Sequence, residues 1–286
     1  MASSPLLDVR DLRVAFRFPD VVSVPVRGVS FSVPRGGRVS LVGESGCGKS
    51  LTALAVGGLV DGAEITGRIS GSPRISYVFQ NPMQSLNPVM RVGRQIVEAF
   101  PRGAKGRVAP FLEAVGLPAS AERKFPCELS GGQQQRVMIA MALAAEPELL
   151  IADEPTTALD VTTQREILDL IFRVAAERGA AVLLITHNLG LVAQYCDEVN
   201  VMYAGEIVEK GAVAEVLCNP RHPYTRGLLA AVPRLDAPKD APLRDIEGTV
   251  PPPTDWPVGC AFHPRCQYAE DACRSPDFVR CRFVVA

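Results

Sequence analysis

The run Gly43-Glu44-Ser45-Gly46-Cys47-Gly48-Lys49-Ser50 has the spacing G-x-x-x-x-G-K-S. Glycines at such a turn let successive backbone N–H groups point inward at an anion. The Lys49 ammonium then reaches β- and γ-phosphate oxygens, and the Ser50 hydroxyl offers an oxygen to Mg²⁺. A second group of chemistry-bearing residues closes the apolar run Leu149-Leu-Ile-Ala-Asp153-Glu154. Asp153 is the expected Mg²⁺ partner, and Glu154, one residue on and pointing differently, is placed to polarise an attacking water. Leu129-Ser130-Gly131-Gly132-Gln133 supplies a third. A serine at a helix N-cap followed by two glycines leaves backbone donors uncovered and makes a second anion site. One nucleotide does not need two phosphate grips, so the second is expected to serve the nucleotide of a partner chain.

These residues require particular elements to hold them. Arg38 to Gly43 reads as a buried strand and Lys49 to Leu59 as the helix after the phosphate loop. Gln133 to Ala145 is expected to be helical, Glu148 to Asp153 a strand, the residues around Thr163 to Arg178 a helix, and Ala180 to Thr186 a strand. Strands alternating with helices imply a largely parallel sheet. Glu198 to Tyr203 and Glu206 to Lys210, separated by Ala204-Gly205, read as a hairpin. Beyond Pro233 the composition changes: Pro238, Pro242 and Pro251-Pro252-Pro253 mark a linker, and a cysteine-rich segment follows. That appendix is too small to bury a core unaided, so it needs a staple or a docking surface.

Composition narrows the function classes. The 286 residues suffice for one large α/β domain plus an appendix, and 30 Lys and Arg against 31 Asp and Glu give no strong field for nucleic acid. No segment carries the roughly 18 uninterrupted apolar residues of a membrane span, and Met1 to Leu12 lacks the pattern of an export signal. The chain by itself is expected in the cytosol, with its eight cysteines mostly reduced. Cys47, Cys127, Cys196 and Cys218 are scattered and read as small buried or incidental residues.

With these motifs in their order along the chain, the sequence resembles the nucleotide-binding subunits of ATP-binding cassette (ABC) transporters from about Leu7 to Pro233. Gln80 in Tyr77-Val-Phe-Gln-Asn-Pro, Asp160 in Thr157-Ala-Leu-Asp and His187 in Ile185-Thr-His complete the match. The resemblance implies an α/β P-loop NTPase fold with a mainly parallel sheet core, a small antiparallel β-subdomain and a helical subdomain. The implied division is 1–233 for the nucleotide-binding domain, its helical subdomain about 87–145, and 234–286 for the Pro-rich linker and Cys-rich extension. It further implies a composite ATPase site at a head-to-tail dimer interface. There Gly43 to Leu51, together with Asp153, Glu154, Gln80 and His187, would hold one ATP and its Mg²⁺. Ser130, Gly131, Gly132 and Gln133 would close on the opposite ATP. Ser50, Asp153 and Gln80 would face the metal, Glu154 would act on water, His187 would contact the γ-phosphate, and Asp160 would communicate across the interface. Phe16 is the candidate to stack on adenine, with a core phenylalanine on an early strand as the alternative.

The run Asn219-Pro-Arg-His-Pro-Tyr-Thr-Arg-Gly-Leu-Leu229 and the Cys-rich tail resemble the ATPases of bacterial importers for dipeptides, oligopeptides and nickel. The implied partners are a second, related ATPase subunit, two transmembrane permease subunits and, indirectly, an extracytoplasmic solute-binding protein. The implied place is the cytoplasmic face of the bacterial cell membrane, peripherally bound. Asn87 to Leu117 would contribute to a permease-binding groove and so should expose apolar residues. The stretch between Gly67 and Tyr77 is shorter than in family members, which suggests a trimmed antiparallel subdomain; Phe100 to Val108 is short as well. A nickel or other small-solute importer ATPase is the alternative, followed by a soluble non-transport cassette ATPase.

Cys260, Cys266, Cys273 and Cys281 have five, six and seven residues between neighbours. Four thiolates suffice for Zn²⁺ or an iron–sulfur cluster. Zinc sites favour closely spaced C-x₂₋₄-C pairs, which are missing, so a [4Fe-4S] cluster is the preferred expectation and Zn²⁺ the alternative, with free thiols or disulfides behind them. Arg265, Arg274, Arg280 and Arg282 would offset the excess negative charge of such a site.

Overall fold

The computed structural model describes residues 4–101, 107–156, 160–232 and 245–284. The linker prolines Pro238 and Pro242, three residues of the Thr157-Ala-Leu-Asp motif, and most of the short stretch from Phe100 to Val108 lie outside the described residues. In chain order the elements begin β1 (Leu7–Arg17), β2 (Val22–Val33), β3 (Arg38–Val42), α1 (Lys49–Val56), β4 (Glu64–Ser70), β5 (Ile75–Val78), α2 (Pro82–Ser85), α3 (Val92–Ala99) and α4 (Ala109–Ala114). They continue α5 (Gly131–Ala144), β6 (Leu149–Asp153), α6 (Val161–Glu177), β7 (Ala181–Thr186), α7 (Leu189–Tyr195), β8 (Glu198–Tyr203), β9 (Glu206–Ala212), α8 (Val213–Cys218) and α9 (Pro223–Ala230). They form two compact units interleaved in sequence.

The first unit comprises the described residues of Met1–Leu6, Val33–Arg38 and Gly71–Leu184. In it β5 and β6 pair in parallel, Ile75 opposite Leu149 and Val78 opposite Ala152, and β7 lies on the other side of β6. Leu149 to Ala152 and Ala181 to Leu184 are all buried. Such runs without alternation belong to strands covered on both faces. The covering helices carry the matching stripe: α6 buries Ile167, Leu168, Leu170, Ile171, Val174 and Ala175, the three-and-four spacing that puts apolar side chains on one face. Helix α5 packs against α3 and α4 and buries Val137, Ile139 and Leu143.

The second unit comprises Leu7–Ser32, Val39–Ser70 and the described residues of Ile185–Ala286. Here β3 pairs in parallel with β8, Val39 opposite Glu198 and Val42 opposite Val201, and β8 pairs antiparallel with β9. The expected hairpin turn is present, with Ala204 (φ 49°) and Gly205 (φ 80°) both left-handed, the geometry that matches strand twist in a two-residue hairpin. The antiparallel subdomain is a three-stranded sheet of order β2-β1-β4, with β1 and β4 antiparallel.

The Cys-rich tail docks on this same unit. Val24 of β2 donates its N–H to Pro253 O at 2.9 Å, and its carbonyl accepts the Trp256 indole N–H at 2.9 Å. Phe262, 4% exposed, packs its ring 5.1 Å from Tyr203 and 5.4 Å from Tyr224. Burial of one such aromatic is worth about 1.5–3 kcal/mol. Docking thus supplies the support that a short appendix lacks.

Candidate nucleotide site

The phosphate loop leaves the end of β3 and enters α1 within the second unit. Gly48 stands at the N-cap with φ 91°, and a Cβ there would meet Pro25 O at 2.5 Å. Only glycine fits both the left-handed conformation and the close approach. Lys49 is 5% exposed, and its ammonium donates to the carbonyls of Gly43 at 2.8 Å and Glu44 at 2.9 Å. The charge is thereby held over the loop, where it can meet a phosphate. Ser50 and Leu51 follow in the first turn of α1.

Neighbouring elements brace the loop. The Gly205 N–H of the β8–β9 turn donates to Cys47 O at 3.1 Å, and the Glu44 N–H donates to the Tyr224 hydroxyl at 2.9 Å. Cys47 is fully buried, its Sγ is 4.0 Å from the Tyr224 oxygen, and burial pushes its thiol pKa up. A protonated, enclosed thiol packs and does not react.

Tyr224 was not singled out by sequence reasoning, yet the run from Asn219 to Leu229 exists to place it. His222 caps α9, its Nδ1 accepting the Tyr224 N–H at 3.1 Å. Burial depresses that imidazole to about 4, so it stays neutral and able to accept. The Glu209 carboxylate accepts the N–H groups of Arg221 at 2.7 Å and His222 at 3.0 Å. The His-Pro-Tyr order, with a cap followed by Pro at the first helical position, was the available signal.

Two further predicted residues belong to this unit. His187 is exposed directly after β7, and Asn188 caps α7 by accepting the Gly190 N–H at 2.9 Å. Phe16 is half-buried near the end of β1, so its ring is available to a flat partner.

The first unit carries the other candidates. Strand β6 ends at Asp153, and Glu154 has φ 43°, a left-handed conformation costly for a residue with a side chain. The left-handed residue ends the extended run directly after the strand. Both are part-exposed. Gln80 is exposed two residues past Val78, and Val78 lies opposite Ala152 across the parallel pair. Gln80 and Glu154 therefore leave the same end of adjacent strands.

Ser130 is the N-cap of α5, its Oγ accepting the Gln133 N–H at 3.4 Å while Gln133 Oε1 accepts the Ser130 N–H at 3.1 Å. This capping box fixes the start of the helix. A Cβ on Gly131 would meet nothing within 4 Å, and one on Gly132 only Thr163 Cγ2 at 3.9 Å, so a ligand can approach that backbone. Helix α5 is also tied to the acidic turn, since Gln135, 1% exposed, donates from Nε2 to Pro155 O at 2.7 Å. Sequence reasoning missed Gln135, because nothing in a mid-helix glutamine announces a buried bond.

Asp160 is the N-cap of α6, accepting the N–H groups of Thr162 and Thr163 at 3.1 Å each. Hydrogen bonds from Thr163 hold its carboxylate pKa below the usual value. A folded-state pKa below the unfolded one stabilises the fold above the unfolded pKa, and that stabilisation is lost as pH falls through the folded pKa. Asp160→Ala should accordingly unfold at lower urea than the parent chain at pH 7. The gap should narrow in acid, as pH falls below the ordinary aspartate range and through the lowered pKa of Asp160; a gap that stays constant with pH would show that the carboxylate charge contributes nothing.

The four tail cysteines are all part-exposed and free of disulfides. The Cys260 thiol is pushed up to about 11 by burial, with Cys281, Cys273 and Cys266 adding to the rise, and burial raises that of Cys266. The four sulfurs thus lie within electrostatic reach of one another. Among the described residues, however, no group of three or more His, Cys, Asp or Glu side chains is arranged to hold a metal ion. Of the arginines expected to offset thiolate charge, Arg282 lies close enough to Cys266 to favour its ionised form, and three of them also have carboxylate partners. Arg265 pairs with Glu44 and Arg274 with Asp271, at 2.8 and 3.5 Å, and Arg282 pairs with Glu270. A carboxylate close by is the better partner for guanidinium than a protonated thiol.

Comparison with known proteins agrees with this architecture. Residues 26–157 match the ABC transporter family, and residues 208–273 match the C-terminal region of oligopeptide/dipeptide transporters. The oligopeptide transport ATP-binding protein OppD of Haemophilus influenzae is 42% identical, over 95% of this chain and 92% of that protein. A Brucella ovis protein named for peptide import is 46% identical, over 96% and 93%. Among solved structures, CbiO1 of Clostridium perfringens, part of the cbiONQ transporter, superimposes with a TM-score of 0.66 at 28% identity, covering 76% of this chain and 92% of that one. An ATP-binding cassette solved as a dimer with ADP and phosphate gives 0.63 at 25% identity, covering 73% and 99%. With the phosphate loop, the left-handed turn at Glu154 and the Ser130 cap of α5 in place, the chain belongs to the ATP-binding, ATP-hydrolysing subunits of ABC transporters, in the group that carries the oligopeptide/dipeptide C-terminal region.

Proposed function

We propose that this chain powers uptake of di- or oligopeptides by a bacterial importer, working head to tail with a second, related ATPase beneath two permease subunits. What supports the reading is that two different helices start on glycine-rich turns suited to an anion, at Gly48 before α1 and at Ser130 before α5. In the composite site Gly43 to Leu51 hold the phosphates of one ATP, Phe16 stacks on its adenine, and Ser130 to Gln133 close on the ATP of the partner. Glu154 accepts the proton of the attacking water, His187 contacts the γ-phosphate and orients Glu154, and Asp160 passes the state of one site to the other. Ser50, Asp153 and Gln80 offer a hydroxyl, a carboxylate and an amide, the hard oxygen donors that suit Mg²⁺. When bound, Mg²⁺ offsets the charge that develops on the transferred phosphoryl group.

Coupling to the permeases would run through Asn87 to Leu117. Val89 and Val97 are exposed there, Val89 by 83%, apolar surface of the kind that takes an amphipathic partner helix. On this reading the chain sits at the cytoplasmic face of the membrane and meets the solute-binding protein only indirectly. Copurification is the test: the permease pair and a second ATPase should accompany the tagged chain from detergent-solubilised membranes. Isolation with nucleic acid and without a permease would replace the reading by the soluble cassette ATPase.

The tail is proposed to gather a [4Fe-4S] cluster, or Zn²⁺, on Cys260, Cys266, Cys273 and Cys281. Support comes from the donor chemistry and the mutual electrostatic influence of the thiols. Metal ligation would deprotonate them and draw them inward. Anaerobically purified protein should contain iron and acid-labile sulfide, and replacing any one cysteine by serine should reduce both. A folded tail free of iron, sulfide and zinc would remove the metal reading.

A further inference from the structure

One contact of the tail is out of keeping with a merely appended segment. Arg265 stands next to Cys266, 221 residues from the phosphate loop, yet its guanidinium makes a two-pronged pair with Glu44, Nη1 to Oε2 at 2.8 Å and Nη2 to Oε1 at 3.0 Å. The Arg265 side chain is 4% exposed and that of Glu44 31%. Two further donors are used: Nε gives to Glu247 O at 2.8 Å and Nη2 to Ile246 O at 2.8 Å. The guanidinium carbon lies 5.7 Å from the centroid of the Tyr203 ring. A planar fork fixed by two carbonyls and shielded from water holds a carboxylate in one orientation.

Glu44 is the second residue of the phosphate loop, and Lys49 donates to its carbonyl at 2.9 Å. Its N–H is held by Tyr224 at 2.9 Å, and Phe262 of the tail packs at a tilt against that tyrosine. The tail thus grips Glu44 by the side chain through Arg265 and by the backbone through Phe262 and Tyr224. We propose that Arg265 is a positioning residue for ATP: tail docking sets the geometry of the phosphate loop through Glu44, so the tail raises nucleotide affinity from outside the nucleotide site. The inference rests on the reading of Gly43 to Leu51 as the ATP grip.

The full-length chain, carrying whatever its tail binds, is titrated with a fluorescent ATP analogue. Arg265→Met keeps the aliphatic stem on Tyr203 and removes the fork. It should weaken binding about tenfold, raising KM for ATP with little change in kcat, and Arg265→Lys should recover part of the loss. Glu44→Gln should weaken binding too, and the double variant should be no worse than the weaker single one, since both remove one link. Analogue binding to Arg265→Met at parental strength, or losses that multiply in the double variant, would overturn the proposal. Reciprocity supplies a second arm that needs no variant: whatever the tail does to ATP binding, ATP does to tail docking. Amide exchange of Cys260 to Cys266 in the parent chain should slow on analogue binding, and unchanged exchange would also overturn it. Failure of the parent chain to bind the analogue at all would instead sink the assignment of the phosphate grip.

Discussion

Glu154→Gln is expected to bind ATP as tightly as the parent chain while its turnover falls by about 10²–10⁴-fold, the usual contribution of a positioned general base. The reasoning begins with the backbone. Strand β6 is buried from Leu149 to Ala152, so its end is fixed, and the chain leaves it through a left-handed Glu154. Strain of this kind costs on the order of 1–3 kcal/mol and persists only where surrounding structure imposes it. Here Pro155 follows, and Gln135 grips the Pro155 carbonyl. Glutamine keeps the size and hydrogen-bonding reach of the side chain and removes its basicity. Equilibrium binding of a fluorescent ATP analogue and phosphate release should therefore separate. Near-parental phosphate release would remove Glu154 from the role.

The second large effect is at the start of the phosphate loop. A Cβ on Gly43 would lie 2.2 Å from Met202 O and 3.5 Å from the Tyr224 hydroxyl, and Gly43 itself has φ 157°. The obstacle is backbone of the strand paired with β3, so the loop must move, and strain of about 1–3 kcal/mol corresponds to roughly tenfold to hundredfold weaker ATP binding. Gly46 provides the contrast: φ is 84° but a Cβ meets nothing within 4 Å. Gly43→Ala should thus lose ATP affinity and melting temperature together, with Gly46→Ala affected less. Equal effects at the two positions would show that backbone conformation matters and the contact with Met202 does not.

How much of this was legible in the sequence depends on the range of the interactions concerned. Strands β6 and β7 were readable because burial on both faces leaves unbroken apolar runs, β3 because it leads into the phosphate loop, and β8 because the Ala204-Gly205 turn, which local sterics decide, marks a hairpin. Element ends were read less well for equally local reasons. Helix α1 stops at Val56, short of Leu59, because Gly57 caps it and Gly58 turns left-handed at φ 68°. Helix α6 begins at Val161, ahead of Thr163, because Asp160 takes the cap. Strand β4 gave no signal at all, since most of its residues are exposed.

The phosphate loop, acidic strand and serine cap were legible as motifs because their chemistry is concentrated in a few consecutive residues. Their supports were not. Tyr224 meets Glu44 across 180 residues and Arg265 meets it across 221, and no periodicity encodes such pairs. The tail shows the same limit from the other side. Its arginines read as a counter-charge for thiolates, and Arg282 does act on Cys266, but the carboxylate partners of Arg265, Arg274 and Arg282 could not be read from the chain.

The central claim, that this ATPase drives peptide uptake, is tested most directly by phosphate release from the chain assembled with its permeases and second ATPase in lipid vesicles. Solute-binding protein is added with and without peptide. Peptide-loaded binding protein should stimulate hydrolysis several-fold, and the stimulation should vanish with Glu154→Gln in this chain. Hydrolysis indifferent to every peptide but stimulated by nickel-loaded binding protein would contradict the peptide reading, and hydrolysis indifferent to permease and binding protein alike would contradict import.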